Sequence, residues 1–423
     1  MTISNHKPRV LIIGLGIAGP LLALLLKKKG YNPIILEKVS SLGDAGASMM
    51  LFPNGLKAIS SISSALADKI SSLSPSLEML HDSTWKGEVL GGTKLPKIWK
   101  EIWGQPACGV KRTELNLLLK DEAVDAGIQV LEGWKLVDIT HNADGTVTAI
   151  SSIGLTQSGD FLVGCDGIHS TTRSILLQTH GQNSTDEPEF TGLIQTAGMS
   201  PTAASLRGVP GMRNWYGPDT HIIAYPVSGT TTSWAITSRS KVQELETWKA
   251  LSPSELAAQK TSLLNGLETW DEPVRTLVHD AEKIIRYGLF DRPVLESKFW
   301  VSKEGRTVLI GDAAHPTSPH LGQGGNQAAE DAWWLASLLP DFGSEENGKD
   351  IDGLALREVF ETFANMRGER TAMLVIGARA VGERRVMGSD ECCERDEALR
   401  REWKDEKGIE EKWRGLLQEP FLT

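Results

Sequence analysis

The sequence contains few cysteines, four in 423 residues. Cys392 and Cys393 are adjacent, whereas Cys108 and Cys165 stand alone in apolar surroundings. This spacing suggests neither a disulfide framework nor a metal site. We therefore expect a reducing compartment, the cytoplasm, and no bound metal.

The sequence also lacks an apolar run that could span a bilayer, which needs about 20 residues. The uncharged stretch at residues 10–26 is interrupted by three glycines and by Pro20, and three lysines follow it. We interpret this stretch as a buried strand followed by a buried helix, and we expect no membrane span.

Positive charge is in deficit. The chain has 44 Lys and Arg against 54 Asp and Glu, which gives a net charge of -10. No basic stretch interleaved with aromatic residues reverses this locally, so nucleic acid is a poor candidate partner. The hydrophobic fraction of 40% and the charged fraction of 23% are typical of a globular protein and exclude a disordered or collagen-like chain. The length indicates about two or three domains of roughly 150 residues each.

The hydrophobic periodicity is typical of an α/β protein. It predicts a strand–helix–strand unit at residues 9–13, 17–29 and 32–36, further helices at 53–61, 112–126 and 323–339, and further strands at 128–139, 146–155, 161–165 and 307–310. From about residue 184, short strands and then helices indicate a second domain. Residues 395–413 are expected to form a solvated helix.

A G-x-G-x-x-G pattern follows the first predicted strand and opens the first predicted helix, at Gly14, Gly16 and Gly19. These glycines permit a tight turn, close approach of the backbone to a pyrophosphate, and close packing of strand and helix. Glu37 follows about 20 residues later, where its carboxylate can accept hydrogen bonds from ribose hydroxyls; Lys38 beside it is a further expected contact. The pattern indicates NAD or FAD, the alternative being a glycine-rich turn of an unrelated α/β domain.

Two further motifs favour FAD over NAD as the bound cofactor. Residues 166–173 read Asp-Gly-Ile-His-Ser-Thr-Thr-Arg and match D-G-x-x-S-x-x-R. Residues 311–316 read Gly-Asp-Ala-Ala-His-Pro and continue into a glycine-rich turn at 322–326. With the first motif, and in this order, they resemble the para-hydroxybenzoate hydroxylase-like, or group A, FAD-dependent monooxygenases.

The resemblance implies an α/β fold: a Rossmann-like FAD-binding domain with an inserted mixed β-sheet and α substrate domain, and a C-terminal helical segment. Residues 1–183 and 301–340 would form the FAD-binding domain, 184–300 the substrate domain and 341–423 the helical region. The substrate-domain sheet would roof the pocket over the flavin.

The resemblance also implies contacts to non-covalent FAD. Asp312 would reach the ribityl hydroxyls, and the backbone of residues 324–326 would reach the N1/O2 edge of the flavin. Arg112 would pair with the pyrophosphate. Ala47 would lie near the ribose and flavin, although Ser48 replaces the usual glycine there. Asp166 would contact FAD and NAD(P)H. The alternatives are an ordinary helix arginine for Arg112 and a helix cap for Asp166. The expected cofactor residues are Gly14, Gly16, Gly19, Glu37, Lys38, Ala47, Arg112, Asp166, Asp312, Gly322, Gly324, Gly325 and Asn326.

The polar candidates for substrate orientation or proton transfer are His221, Tyr225 and His320. Each could instead be an ordinary core or surface residue. Many relatives carry an arginine on the first substrate-domain strand, where this chain has Ala197. We therefore favour a neutral, natural-product-like substrate over a small carboxylate. His315 is expected to be structural, through its ring hydrogen bonds.

The chain has 13 tryptophans, which is many for its length. Most should be core residues. Trp85, Trp99 and Trp103 lie in a less regular segment and are the candidates for a lid or pocket wall.

The predicted function is an FAD-dependent monooxygenase that uses NADPH or NADH and O2 to hydroxylate or epoxidise a small aromatic, enolic or alkene/indole substrate. The resemblance implies that oxygen transfer runs through a flavin C4a-hydroperoxide. The rivals are a flavin oxidase or reductase without oxygenation and a flavin-binding interaction module. We expect a small-molecule substrate and a monomer or homodimer.

Overall fold

The computed structural model describes residues 7–43, 47–182, 186–244, 250–342 and 353–420. The strands in chain order are β1 (Arg9–Ile13), β2 (Asn32–Leu36), β3 (Ser48–Leu51), β4 (Met79–Thr84), β5 (Val89–Thr93), β6 (Cys108–Lys111), β7 (Gln129–Leu131), β8 (Leu136–His141), β9 (Val147–Ser151), β10 (Thr156–Gly159), β11 (Phe161–Gly164), β12 (Glu189–Pro201), β13 (Gly211–Tyr216), β14 (Thr220–Pro226), β15 (Thr231–Arg239), β16 (Lys283–Asp291) and β17 (Thr307–Leu309). The α-helices are α1 (Ala18–Lys28), α2 (Pro53–Ile62), α3 (Ser64–Ser71), α4 (Trp99–Trp103), α5 (Arg112–Asp125), α6 (Thr171–Thr179), α7 (Pro253–Gly266), α8 (Glu272–His279), α9 (Gly324–Leu338), α10 (Gly353–Arg385), α11 (Cys392–Glu402) and α12 (Glu406–Leu417). These elements form two compact units.

The first unit takes in the described residues of Met1–Leu42, Asn116–Glu189 and Asp291–Gly377. Its parallel sheet has the strand order β17-β11-β1-β2-β7. An antiparallel sheet, β10-β9-β8, packs its apolar side chains with those of β1 and β2. This is the Rossmann-like domain that the resemblance implies.

The uncharged stretch near the start of the chain forms a buried strand and a buried helix, as predicted. Residues 10–13 of β1 are 0% to 4% exposed, because β1 lies inside the parallel sheet. Residues 18–26 of α1 are likewise buried. In the described ranges, we find no helix with both the length and the apolar character needed to cross a bilayer.

The second unit takes in the described residues of Gly43–Leu115, Phe190–Phe290 and Ala378–Thr423. Its mixed sheet has seven strands in the order β16-β12-β15-β14-β13-β4-β5, and β13 runs parallel to β4. This is the additional mixed sheet that the resemblance implies for the substrate domain.

The two faces of the seven-stranded sheet differ. Ile222 and Ala224 of β14 point to one face, where they pack in an apolar cluster with α7 and α8. His221 and Tyr225 point to the other face, because side chains alternate along a strand. We call this second face the polar face.

The C-terminal segment does not form the single solvated helix predicted for residues 395–413. A break at residues 403–405 separates α11 from α12. Trp403 and Trp413 pack against an apolar cluster that includes Leu417, which is 0% exposed. The prediction was wrong because the high charge density of the segment masks this apolar side.

The compact units follow other boundaries than the predicted domains. Residues 43–115 belong to the second unit, because β4 and β5 are hydrogen-bonded into its sheet. The predicted C-terminal region, 341–423, is divided between the two units at residue 377. The assignment of functions to the predicted domains stays a prediction.

Candidate functional site

The three predicted cofactor motifs meet at one edge of the parallel sheet. The glycine-rich loop follows β1, the Asp166 motif follows β11, and the Gly311 motif follows β17. These three strands are neighbours in the sheet and run parallel. Their carboxyl ends therefore lie side by side, where open α/β sheets bind their ligands.

Close contact between the motifs accounts for two of the glycines. A Cβ atom on Gly14 would lie 2.4 Å from the backbone oxygen of Cys165, and the φ of Gly14 is 111°. A Cβ on Gly19 would lie 2.1 Å from the backbone oxygen of Gly14. A Cβ on Gly16, by contrast, would meet no atom within 4 Å. The fold therefore needs glycine at positions 14 and 19, whereas Gly16 keeps a space open at the start of α1.

The start of α1 is suited to an anion. The helix has 11 residues, no side-chain cap and no acidic residue in its first turn. Its first N–H groups therefore have no capping side chain and carry the positive end of the helix dipole. The cradle fits a pyrophosphate.

Glu37 holds the glycine-rich loop. One carboxylate oxygen accepts a hydrogen bond from Leu15 N at 2.7 Å, and the other accepts one from Val39 N at 2.9 Å. Each carboxylate oxygen has a second lone pair, so the group can also accept hydrogen bonds from a ribose. Lys38 is exposed. The sequence did not indicate the contact with the loop, and the ribose contacts stay a prediction.

Asp166 caps the start of α6, which is one of the two alternatives for this residue. Its carboxylate accepts hydrogen bonds from Ser170 Oγ at 2.6 Å, Thr172 N at 3.0 Å and Thr172 Oγ1 at 3.1 Å. Burial raises the pKa of Asp166, and these hydrogen bonds offset the rise only in part. A contact with FAD or NAD(P)H stays a prediction.

Arg173 ties the second motif to the third. Its Nη1 donates a hydrogen bond to the Ala314 carbonyl oxygen at 2.9 Å. Its guanidinium also pairs with Asp186 at 2.5 Å, and Arg292 pairs with the same carboxylate at 2.8 Å. Burial alone would raise the pKa of Asp186, but the two arginines lower it below its usual value. The last residue of the D-G-x-x-S-x-x-R motif thus fixes the neighbouring motif.

A buried ion network anchors the third motif. Gly311 N donates to Asp331 Oδ2 at 2.7 Å, His315 Nε2 lies 2.5 Å from the same oxygen, and Arg367 Nε donates to Oδ1 at 2.6 Å. Burial alone would raise the pKa of Asp331, but His315, Arg367 and these hydrogen bonds lower it to about 2. His315 thus makes the structural ring hydrogen bond predicted for it.

The glycine-rich turn leads directly into α9. Gly322 has a left-handed φ of 63°, and its carbonyl oxygen accepts a hydrogen bond from Asn326 Nδ2 at 2.8 Å. The helix begins at Gly324, followed by Gly325, with no side-chain cap and no acidic residue in its first turn. Asp312 Oδ1 lies 3.8 Å from the position of a Cβ on Gly324. The predicted flavin-edge residues are therefore neighbours, and their contacts to FAD stay a prediction.

His320 belongs to a different compact unit from the other two candidate catalytic residues. It lies in the short turn Pro319–Leu321 of the first unit and is 4% exposed. His221 and Tyr225 belong to the second unit. A catalytic role for His320 stays a prediction.

Two further predicted cofactor residues are adjacent in the second unit. Arg112 begins α5, and its backbone N–H donates to the Ala47 carbonyl oxygen at 3.1 Å. The pairing of β3 with β6, which places Ser48 opposite Lys111, produces this contact. Gly46, which precedes Ala47, lies outside the described residues. A contact of this pair with FAD stays a prediction.

Tyr225 forms a chain of hydroxyl groups on the polar face. Its hydroxyl lies 2.8 Å from Ser48 Oγ, and Ser48 Oγ donates to Ser233 Oγ at 2.6 Å. Burial raises the pKa of Tyr225 to about 12, although the Ser48 hydrogen bond lowers it. The phenol therefore stays protonated, and because the Ser48 hydrogen is donated to Ser233, the Tyr225 hydroxyl donates to Ser48. Ser48, which departs from the family's glycine, thus contacts a candidate catalytic residue.

His221 is fully buried, at 0% exposure, on the same face of β14 as Tyr225. Its Nε2 lies 3.0 Å from Asn214 Oδ1, and Asn214 Nδ2 donates to Asp82 Oδ1 at 2.8 Å. This burial agrees with the alternative of a core histidine, and the catalytic role stays a prediction.

Trp99 is a core residue and not a pocket wall. It is 1% exposed, and its ring centroid lies 6.1 Å from that of Phe52 and 5.0 Å from that of Trp413. The expectation failed because α12, which supplies Trp413, covers this segment. Trp85 also packs against another tryptophan, Trp270, at 6.3 Å.

All four cysteines are free thiols. Cys108 and Cys165 are buried, and burial raises the pKa of Cys108 to about 12. Within the described part of the chain, we find no group of three or more His, Cys, Asp or Glu side chains that could hold a metal ion.

Comparisons with known proteins agree with the geometry of the motifs. The family model described as FAD binding domain matches residues 7–266 and 294–351. The 3-amino-4-hydroxybenzoate 2-monooxygenase of Streptomyces cremeus is 28% identical over 402 residues, 93% of this chain and 91% of the relative. The enzyme of that name from Streptomyces platensis is 32% identical over 366 residues, 85% of each chain.

Solved structures share the fold. Klebsiella pneumoniae HpxO complexed with FAD and uric acid has a TM-score of 0.79 at 24% identity, covering 98% of this chain and 97% of that one. A salicylate hydroxylase substrate complex has a TM-score of 0.72 at 24% identity, covering 99% of this chain and 100% of that one. With the family match over most of its length, the chain belongs to the FAD binding domain family and is an FAD-dependent monooxygenase of the para-hydroxybenzoate hydroxylase-like group, with NAD(P)H as reductant.

Proposed function

We propose that this enzyme hydroxylates an electron-rich phenolic ring, with O2 as its co-substrate. The observation that carries the proposal is the meeting of the three cofactor motifs at one sheet edge. The relatives are named as monooxygenases or hydroxylases of hydroxybenzoates and of 6-hydroxynicotinate. Bound FAD would accept a hydride from NAD(P)H, activate O2 and supply one oxygen atom to the ring.

The first unit would hold the cofactor. The N–H groups at the start of α1 would bind the pyrophosphate beside Gly16, and Glu37 would accept hydrogen bonds from the adenosine ribose. Asp312 would bind the ribityl chain. The start of α9 would stabilise negative charge at the N1/O2 edge by about 1 kcal/mol.

The polar face of the second unit would bind the substrate. The Tyr225 phenol, protonated up to about pH 12, donates its hydrogen to Ser48 and would accept a hydrogen bond from a ring hydroxyl. We favour a neutral ring, because Ala197 offers no charge to a carboxylate. Arg286 on β16 contacts Thr196, the neighbour of Ala197 on β12, but its guanidinium is paired with Glu244 at 2.6 Å.

The test compares two matched rings, 3-amino-4-hydroxybenzoate and 2-aminophenol, which differ only in the carboxylate. We expect 2-aminophenol to stimulate NAD(P)H oxidation more strongly and to yield a product that carries one oxygen-18 atom from 18O2. Faster turnover of the carboxylate would overturn the preference for a neutral ring. NAD(P)H oxidation that only produces hydrogen peroxide across a panel of phenols would overturn ring hydroxylation.

We also propose a cytoplasmic location and a monomeric or homodimeric state for the protein. The free thiols support a reducing compartment. Light scattering on the FAD-loaded protein measures the oligomeric state, and a mass above that of a dimer would contradict it.

A further inference from the structure

A chain of buried hydrogen bonds leads from β4 to the candidate catalytic histidine. Asp82 Oδ1 accepts from Asn214 Nδ2 at 2.8 Å, and Asn214 Oδ1 lies 3.0 Å from His221 Nε2. The three side chains are 5%, 5% and 0% exposed. The register of the sheet creates the chain, because Asp82 pairs with Asn214 across the parallel β4 and β13 ladder.

The direction of this chain fixes the position of a proton. An ionised carboxylate can only accept hydrogen bonds, so it orients the NH2 group of Asn214 towards Asp82. The amide oxygen of Asn214 then faces His221 Nε2, and this oxygen can only accept. Nε2 must therefore carry a hydrogen, and the ring gains or loses its proton at Nδ1.

We propose that Asp82, Asn214 and Trp403 are positioning residues that hold His221 in its Nε2–H tautomer, so that Nδ1 is the atom that exchanges a proton. The use of that atom with a substrate hydroxyl rests on the proposed function. In that step the substrate O–H bond breaks, the proton bonds to Nδ1, and the electron pair stays on the phenolate oxygen, which makes the ring more nucleophilic.

Trp403, the residue that follows helix α11, also contacts Asp82. Its Nε1 donates to Asp82 Oδ2 at 2.9 Å, and the Tyr216 hydroxyl lies 3.5 Å from the same oxygen. Both donors favour the ionised carboxylate. Burial raises the pKa of Asp82 above its usual value, and the hydrogen bonds of Trp403 and Asn214 offset this rise only in part.

The charged groups around Asp82 come from several elements. Arg385 at the end of α10 and Lys412 on α12 also lower the pKa of Asp82. His81 precedes Asp82 on β4. Burial lowers the pKa of His81, and the negative charge of Asp82 opposes this shift. The Arg395 guanidinium lies over the Tyr216 ring at 5.4 Å. The positive groups are on the C-terminal helices, so these helices support the ionised state.

Protonation of Asp82 would give the opposite arrangement. A protonated carboxyl can donate to the amide oxygen, which turns the NH2 group of Asn214 towards His221 Nε2. Nε2 would then accept, and Nδ1 would carry the hydrogen. The protonation of Asp82 and the tautomer of His221 are therefore linked through the amide group of Asn214. A measurement of the tautomer thus shows the direction of both hydrogen bonds.

The experiment measures the side-chain nitrogen-15 shifts of His221 in the full-length, FAD-loaded protein, assigned by comparison with His221→Gln. We expect the Nε2–H tautomer in the wild type at neutral pH. Asp82→Asn should give a mixture, because an amide at position 82 can donate or accept. Trp403→Phe should shift the population towards Nδ1–H, because it removes one donor from the carboxylate while keeping an aromatic ring.

The matched control is Trp413→Phe, on the neighbouring helix of the same unit. Trp413 packs on Trp99 at 5.0 Å. Its replacement should therefore leave the tautomer unchanged.

Asn214→Asp should keep the Nε2 hydrogen and move the titration midpoint of His221 upward by about one to three pH units, because an opposite charge then adjoins the ring. An Nδ1–H tautomer in the wild type, or an unchanged tautomer in Asp82→Asn, would overturn the proposal.

Activity separates this inference from the proposed function. If phenols stimulate NAD(P)H oxidation, Asn214→Asp should shift the pH profile of kcat in the same direction as the His221 titration, with unchanged FAD content. The expected tautomer without any ring hydroxylation would refute the proposed function and leave the positioning intact. Ring hydroxylation with the other tautomer would refute the positioning alone.

Discussion

Gly16 is the position where the needs of the cofactor can be separated from those of the fold. A Cβ there would meet no protein atom within 4 Å, so Gly16→Val should fold normally. The added side chain would occupy the space required by a pyrophosphate. We expect a folded, colourless protein, measured as the ratio of flavin absorbance to protein absorbance together with the circular dichroism spectrum.

The matched control for this variant is Gly266→Val at the end of α7, where a Cβ also meets no atom within 4 Å. This variant should retain its FAD. Stoichiometric FAD in purified Gly16→Val would contradict the placement of the pyrophosphate beside α1.

Tyr225 is the candidate catalytic residue with the clearest predicted phenotype. Tyr225→Phe removes one donor and leaves Ser48 with Ser233 as its hydroxyl partner. Loss of a hydrogen bond worth about 1.4 kcal/mol lowers kcat/KM about tenfold. Steady-state NAD(P)H oxidation with a phenolic substrate measures the change, and FAD content should stay the same.

Tyr31→Phe is the control for Tyr225→Phe. The Tyr31 hydroxyl donates to the Pro340 carbonyl oxygen at 2.9 Å within the first unit. Its loss should lower stability and leave kcat/KM unchanged. Equal kcat/KM values for Tyr225→Phe and the wild type would remove Tyr225 from the proposed substrate site.

At the scale of elements, the ion pair between Asp331 on α9 and Arg367 on α10 stabilises the third motif. The pKa of Asp331 falls from 3.8 to about 2 on folding. A group with a lowered pKa in the folded state stabilises above its unfolded pKa, so its contribution is lost as the pH falls from about 4 towards 2. The shift corresponds to about 2 kcal/mol.

Asp331→Asn should therefore lose stability at neutral pH and show a weaker decrease below pH of about 4. Urea unfolding of the wild type and the variant, each at neutral pH and at a pH of about 2.5, measures the difference. If the two proteins differ in unfolding free energy by the same amount at both pH values, the lowered pKa of Asp331 is refuted.

The sequence predicted elements well where a single apolar period applies. The strands β1 and β2 match the predicted ranges, because both lie buried in a parallel sheet. The predicted strand at residues 128–139 instead divides into β7 and β8 around Gly133, whose φ is 72°. The apolar pattern continues across this turn, so only the partner strands reveal that β7 joins the parallel sheet and β8 the antiparallel one.

Across the whole molecule, the sequence predicted the cofactor motifs but not the long-range hydrogen bonds that the structure shows. Each motif is local in sequence, and its spacing is visible without the fold. The contact of Arg173 with Ala314 joins residues 141 positions apart, that of Ser48 with Tyr225 joins residues 177 apart, and that of Trp403 with Asp82 joins residues 321 apart. Such pairs depend on strand order and register, which no local pattern contains.

The stability of the molecule should depend on its cofactor. A ligand that binds only the folded state stabilises it by about 2.7 kcal/mol at a free concentration 100 times Kd. Removal of FAD should thus lower Tm, and added FAD should restore it, as thermal unfolding followed by circular dichroism can show. The same addition should leave the Tm of Gly16→Val unchanged, and an equal rise in both proteins would contradict binding at this edge.

We infer that the motifs on three neighbouring parallel strands form one FAD site. The most direct measurement is the identity and amount of flavin released when the purified, folded wild-type protein is denatured. We expect FAD, in equimolar amount with the chain after reconstitution. A folded protein that releases no flavin and does not take up added FAD would contradict it.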